Sequence, residues 1–138
     1  MVSLTKLGAA AAACLAALPG STAYIFNMTA PPTATPGKNI TATLYTSIYV
    51  QNYVDFGIIW GISAPEVACH TCVGRQLDYT NLVKGSVAVP PSGNFTVDVT
   101  IPADFTGGPY FLVAAVPYLV GVSGSTGINY FNSTLYTS

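Results

Sequence analysis

The amino-acid sequence predicts an all-β protein, and three observations carry that prediction. Beyond residue 23 no stretch repeats its apolar residues at helical spacing. Short runs of alternating apolar and polar residues recur instead, each bounded by Pro, Gly or Ser. These runs number about seven over roughly 100 residues, the strand count and size of a single antiparallel sandwich.

The first two dozen residues read as a leader rather than as part of the fold. Lys6 supplies a positive start, and "LGAAAAACLAAL" (7–18) is apolar but too short to span a bilayer. Pro19-Gly20 breaks it, and Ser21-Thr22-Ala23 offers the small residues a signal peptidase reads. Cleavage is expected after Ala23, with residues 1–23 as signal peptide and 24–138 as one secreted domain. "YIFNMT" (24–29) opens that domain, and "APPTATPGK" turns the chain. "NITATLYTSIYV" (39–50) places Ile40, Ala42, Leu44, Ile48 and Val50 inward, with Thr41, Thr43, Tyr45, Ser47 and Tyr49 outward. "YVDFGIIWGIS" (53–63) points Val54, Phe56, Ile58 and Trp60 to one face. Residues 64–81 read as a loop. "LVKGSVAV" (82–89), "NFTVDVTI" (94–101), "YFLVAAVPYL" (110–119) and "INYFNSTLYT" (128–137) supply the remaining strands. The lone tryptophan on the third strand suits an immunoglobulin-like sandwich. "DFTGGPYFLV" (104–113) reads either as a tyrosine corner built on Tyr110 or as an ordinary acidic turn.

Only 7% of the residues are charged, with four Lys and Arg against five Asp and Glu. Soluble domains average about 25%. No basic stripe suggests a nucleic acid and no polybasic cluster suggests an anionic membrane, so neither is expected as a partner. Four glycosylation sequons, at Asn27, Asn39, Asn94 and Asn132, offer an alternative source of solubility. Asn39 and Asn94 alternate with inward Ile40 and Phe95, which would direct their glycans to solvent.

Acid–base or nucleophilic chemistry needs titratable groups gathered in a pocket. The candidates, Asp98, Asp104 and His70 among them, are scattered, and no G-x-S-x-G elbow occurs. "CHTC" (69–72) holds two cysteines and the single histidine. A redox pair would need a helix N-terminus to lower a thiol pKa, and a structural zinc would need four ligands. In an exported chain from which Cys14 has been removed, Cys69 and Cys72 are expected to form a disulfide. No enzyme activity, cofactor or metal is expected, and the domain is expected to be a monomer.

Residues 35–63, "TPGKNITATLYTSIYVQNYVDFGIIWGIS", resemble the core of the necrosis-inducing secreted effectors of plant-associated fungi. The likeness runs without a gap through Pro36, Gly37, Thr41, Ala42, Thr43, Tyr49, Gln51, Asp55, Gly61, Ile62 and Ser63. Trp60 stands where the family tends to have phenylalanine. "VTIPADFTGGPYFLVAAVPYLVGVSG" (99–124) and "INYFNSTLYT" resemble the later strands of the family. The Cys-His-Thr-Cys turn replaces a Pro/Gly-rich loop after Ser63. The resemblance implies an effector that dampens plant pattern-triggered immunity by binding host immune receptor-associated kinases, some members also provoking cell death. A location in the host apoplast and host cell goes with that role. Tyr45, Tyr49, Gln51, Tyr53 and Asp55 form the expected contact surface. A structural, adhesive or carbohydrate-binding module of the fungal surface is the other reading.

Overall fold

A computed structural model describes residues 23–49, 52–85 and 87–138. The expected signal peptide (1–22 of its span) and Gln51 lie outside the described residues. Among the described residues nine strands follow one another: β1 (Ala23–Thr29), β2 (Thr33–Ala34), β3 (Asn39–Ile48), β4 (Tyr53–Asp55), β5 (Gly57–Ser63), β6 (Arg75–Asn81), β7 (Gly93–Thr100), β8 (Tyr110–Val120) and β9 (Ser125–Thr137). A single 3₁₀ turn, Pro65–Val67, is the one helical element among the described residues.

The strands form two sheets. The smaller has the order β1-β3-β7, and the larger has the order β2-β9-β8-β5-β6 with β4 paired to the end of β8. All pairings are antiparallel except that of the two-residue β2 with β9. One apolar cluster joins the sheets: Ile25, Ala42, Leu44 and Val99 from the smaller face Ile58, Trp60, Ile62, Leu112, Val116 and Leu135 from the larger. Burying each large side chain is worth about 1.5–3 kcal/mol. Trp60 is fully buried, and its indole N–H donates to Thr80 Oγ1 at 2.9 Å, which satisfies the one polar atom it takes into the core. Tyr110 Oη donates to the Thr106 carbonyl at 2.7 Å, so the acidic turn is a tyrosine corner that locks the start of β8.

Among the described residues of 82–89 the expected strand does not form; the strand lies at β6, inside the stretch read as loop. Asn81 ends β6 because its Oδ1 accepts from Val83 N and Lys84 N, both at 3.0 Å. That Asx turn withdraws both amides from a ladder. Val87 and Val89 then pack against the core as loop residues. β6 escaped notice because it is a polar edge strand, with only Leu77 and Thr80 half-buried.

The expected strand 53–63 is broken at Phe56. Phe56 N donates to the Pro117 carbonyl and Leu82 N donates to the Phe56 carbonyl, which ends β4 and restarts the chain as β5. The break shifts the phase. Ile58 and Trp60 face inward as the alternation requires, but Phe56 is exposed and Tyr53 is buried in its place. Ile48 is also exposed rather than inward, because it sits opposite Ala23 at the sheet's end, beyond the core.

Candidate functional site

Aromatic residues gather where β1 runs past β4 and β9, at one end of the sandwich. Tyr53 forms the floor, with only 4% of its surface exposed. Its ring stacks on Tyr118, centroids 5.2 Å apart and planes 13° from parallel. Tyr49 and Tyr24 lean over it at 4.9 and 5.5 Å, and Tyr24 meets Tyr49 edge-on at 5.4 Å. Phe26 extends the group towards Tyr45. These rings, with Asn129 and Phe131 of β9, line an open basin of about 380 Å³. A larger hollow of about 610 Å³ near Lys38 and Tyr136 gathers no comparable set of aromatic side chains, so the basin is the better candidate. Offset and edge-to-face pairs are worth about 0.5–1.5 kcal/mol each beyond the area they bury, so the basin is held in shape before anything binds.

Asp55 lies two residues beyond Tyr53 on β4. Its Oδ2 accepts from Ile25 N at 2.8 Å, linking the larger sheet to the first strand of the smaller. Its Oδ1 is buried and has no hydrogen-bond partner among the described residues. Burial pushes the carboxyl up to about 7, against the pull of the Ile25 amide, which favours the charged form. Burial, reinforced by the Asp55 charge, also drives the Tyr53 hydroxyl well above the ordinary tyrosine range. Tyr53 Oη accepts from Asn129 Nδ2 at 3.2 Å, a bond that favours the charged form but is outweighed by burial.

Of the five residues expected to form a contact surface, Tyr45, Tyr49 and Tyr53 join one aromatic group. Tyr45 and Tyr49 are half-buried, and Tyr45 Oη pairs with Thr29 Oγ1 at 3.3 Å. Asp55 is a half-buried link between the sheets, and Gln51 is not described. Sequence reasoning missed Tyr24, Phe26 and Tyr118. The aromatic ends of "YIF" (24–26) were a usable signal. Tyr118 was not legible, because only the pairing of Asp55 with Tyr118 across β4 and β8 brings it in.

A family model described as the Nis1 family matches residues 21–136. The chain belongs to the Nis1 family. The "Necrosis-inducing secreted protein 1" of Colletotrichum higginsianum is 32% identical to it over 131 residues, covering 91% of this chain and 85% of that protein. Of the segments that carry the resemblance, 35–63 and 99–124 fall within the family match, and 128–137 does so up to its last residue.

In this Nis1-family chain Cys69 and Cys72 are joined as a disulfide, their Cα atoms 5.1 Å apart. The loop that carries them, 64–74, folds back over the outer face of β5. Gly61 makes room for it: a Cβ there would sit 2.1 Å from the Val73 carbonyl oxygen. Gly74, at φ +77°, turns the chain into β6. Between the loop and strands β8 and β9 lies a second pocket, of about 260 Å³, lined by His70, Phe111, Val113, Tyr130 and Asn132. Among the described residues no three His, Cys, Asp or Glu side chains come together as a metal site, and no helix is long and apolar enough to cross a membrane. All four sequon asparagines are exposed.

Proposed function

We propose that this protein is a secreted effector that suppresses plant pattern-triggered immunity by binding host immune receptor-associated kinases, with the aromatic basin as its contact surface. Membership of the Nis1 family carries the reading, supported by likeness to a protein named as necrosis-inducing and secreted. The basin suits the role physically. Exposed Phe26 and Ile48 flank preorganised tyrosines, and aromatic anchors in a water-excluding rim dominate binding energy at protein surfaces. We further propose an immunoglobulin-like sandwich, a reading supported by the strand order, the buried Trp60 and the Tyr110 corner. The reading is of a monomeric binding protein without catalysis. Asp98 accepts from Thr41 and Asp104 pairs with Arg75, so both carboxylates are engaged at the surface.

The test is binding of the secreted, oxidised protein to host receptor-associated kinase domains, with the immune oxidative burst recorded in treated leaves. Binding with a suppressed burst is expected, as is a loss of about tenfold or more in affinity for Tyr49→Ala and Phe26→Ala. No binding with an undisturbed burst overturns the proposal. A carbohydrate-binding platform would call for coplanar rings. Of the basin pairs only Tyr53–Tyr118 is near parallel, and Tyr53 is buried, which speaks for a protein partner.

A further inference from the structure

We propose that Asn132 carries an N-linked glycan whose first N-acetylglucosamine is seated in the pocket between the Cys69–Cys72 loop and strands β8 and β9. The inference needs only passage through the secretory pathway and is independent of the host target. The residues that would attach the sugar and those that would hold it fall on one face. Tyr130, Asn132 and Thr134 alternate along β9, so all three project from the outer side of the larger sheet. Across the ladder they stand beside Ala115, Val113 and Phe111 of β8. Asn132-Ser133-Thr134 is the acceptor sequon, and Asn132 is exposed.

The pocket matches one monosaccharide. Its volume of about 260 Å³ falls just below the roughly 300–1,000 Å³ of sites for larger ligands. Val113 forms an apolar floor. Tyr130 and Phe111 bring aromatic rings to the lining, and the negative quadrupole of a ring face attracts the polarised C–H bonds of a sugar ring. His70 and Ser63 bring polar atoms within the lining, suited to the acetamido and hydroxyl groups. The roof is the disulfide-closed loop, held against the sheet at Gly61. Of the other sequons, Asn39 and Thr41 line the broad hollow near Lys38 and Tyr136, which has no aromatic ring but that of Tyr136 and no loop as a roof. Asn94 stands on open strand β7, Asn39 Oδ1 is occupied by the Thr100 hydroxyl and Asn27 Oδ1 by the Met28 amide.

The attachment is an ordinary group transfer. Asn132 Nδ2 attacks the anomeric carbon of an oligosaccharide carried on a polyprenyl pyrophosphate. The bond from that carbon to the pyrophosphate oxygen breaks, an N–C bond forms, Nδ2 gives up one proton and polyprenyl pyrophosphate leaves. In the folded protein the sugar then closes the pocket and covers one side of the disulfide.

The test is a double-mutant cycle on the full chain secreted from a glycosylating fungal host, with glycans trimmed enzymatically to single N-acetylglucosamine residues. Mass spectrometry of the peptide bearing Asn132 reads occupancy. Thr134→Ala removes the sequon without touching Asn132, and Tyr130→Ala removes the stacking face. Thr134→Ala is expected to lower Tm by about 3–5 °C when Tyr130 is present and by less than about 1 °C when it is Ala. The same cycle in protein from a non-glycosylating bacterial host is expected to show no coupling, which separates the sugar from any direct contact between the two side chains. An unoccupied Asn132 overturns the proposal. Occupancy with equal Tm changes in both backgrounds also overturns it, because the sugar then projects free of the pocket.

Discussion

Raising the pH from 4.5 to 8 is expected to destabilise this protein through Asp55. The carboxyl is held at about 7 in the folded state, against 3.8 ordinarily, because burial disfavours its charge. The folded state therefore binds the proton more tightly than the unfolded chain does. Asp55 accordingly favours folding below pH 4, and that advantage is lost as the pH rises through 7. A change of about three pKa units corresponds to roughly 4 kcal/mol over the whole titration, of which about 3 kcal/mol falls between pH 4.5 and 8, a large share of the roughly 5–15 kcal/mol typical of a whole domain. Urea titrations at pH 4.5, 6 and 8 measure the effect. With an m-value near 2 kcal/mol/M, the midpoint of the wild type should fall by about 1.5 M between the ends of the series. Asp55→Asn keeps an acceptor for the Ile25 amide but cannot ionise. Its midpoint should stay nearly flat and exceed that of the wild type at pH 8. Equal slopes for the two proteins, or a wild type that gains stability towards pH 8, would refute the reasoning.

Three further outcomes follow from packing and hydrogen bonding. Gly61→Ala places a Cβ 2.1 Å from the Val73 carbonyl oxygen, and because the obstacle is backbone the 64–74 loop must lift. A loss of about 1–3 kcal/mol is expected in thermal melts, together with faster proteolysis within the loop. Tyr110→Phe removes the bond to the Thr106 carbonyl while keeping the ring that packs edge-on against Phe105 at 5.0 Å. It should cost about 0.5–1.5 kcal/mol by chemical denaturation. Leu112→Ala, at a fully buried position of the central strand β8, should cost about 2–5 kcal/mol and leave far-ultraviolet circular dichroism unchanged where the variant still folds.

How much of this was legible in the sequence depended on how local the signal was. Strands β1, β3, β7 and β9 announced themselves because one buried face gives a period of two, as Ile40, Ala42 and Leu44 do, and β8 as a short apolar run buried on both faces through Leu112–Val116. The disulfide was legible because two cysteines three residues apart leave little choice. β6 was missed because an edge strand with few buried side chains carries little alternation. The break at Phe56 was missed because its cause is non-local, a hydrogen bond to the Pro117 carbonyl some sixty residues away. The site divides the same way. Tyr45, Tyr49 and Tyr53 lie close together in the chain and could be grouped by eye. Tyr118, Asn129 and the burial of Asp55 exist only once β4 has paired with β8 and β1 has crossed over it.

The disulfide ring holds just the four residues Cys69 to Cys72 and crosses no pair of strands. Cutting it returns little entropy to the unfolded chain, about 2 kcal/mol in the loop-closure account. The two sheets are held by Trp60, Leu112 and their neighbours, none of which cares about redox potential. A molecule built this way keeps its architecture in a glutathione-buffered cytosol as well as outside a cell. Only the 64–74 loop would register the change of compartment. The same polypeptide would then carry one scaffold and two loop shapes, with the surroundings selecting between them.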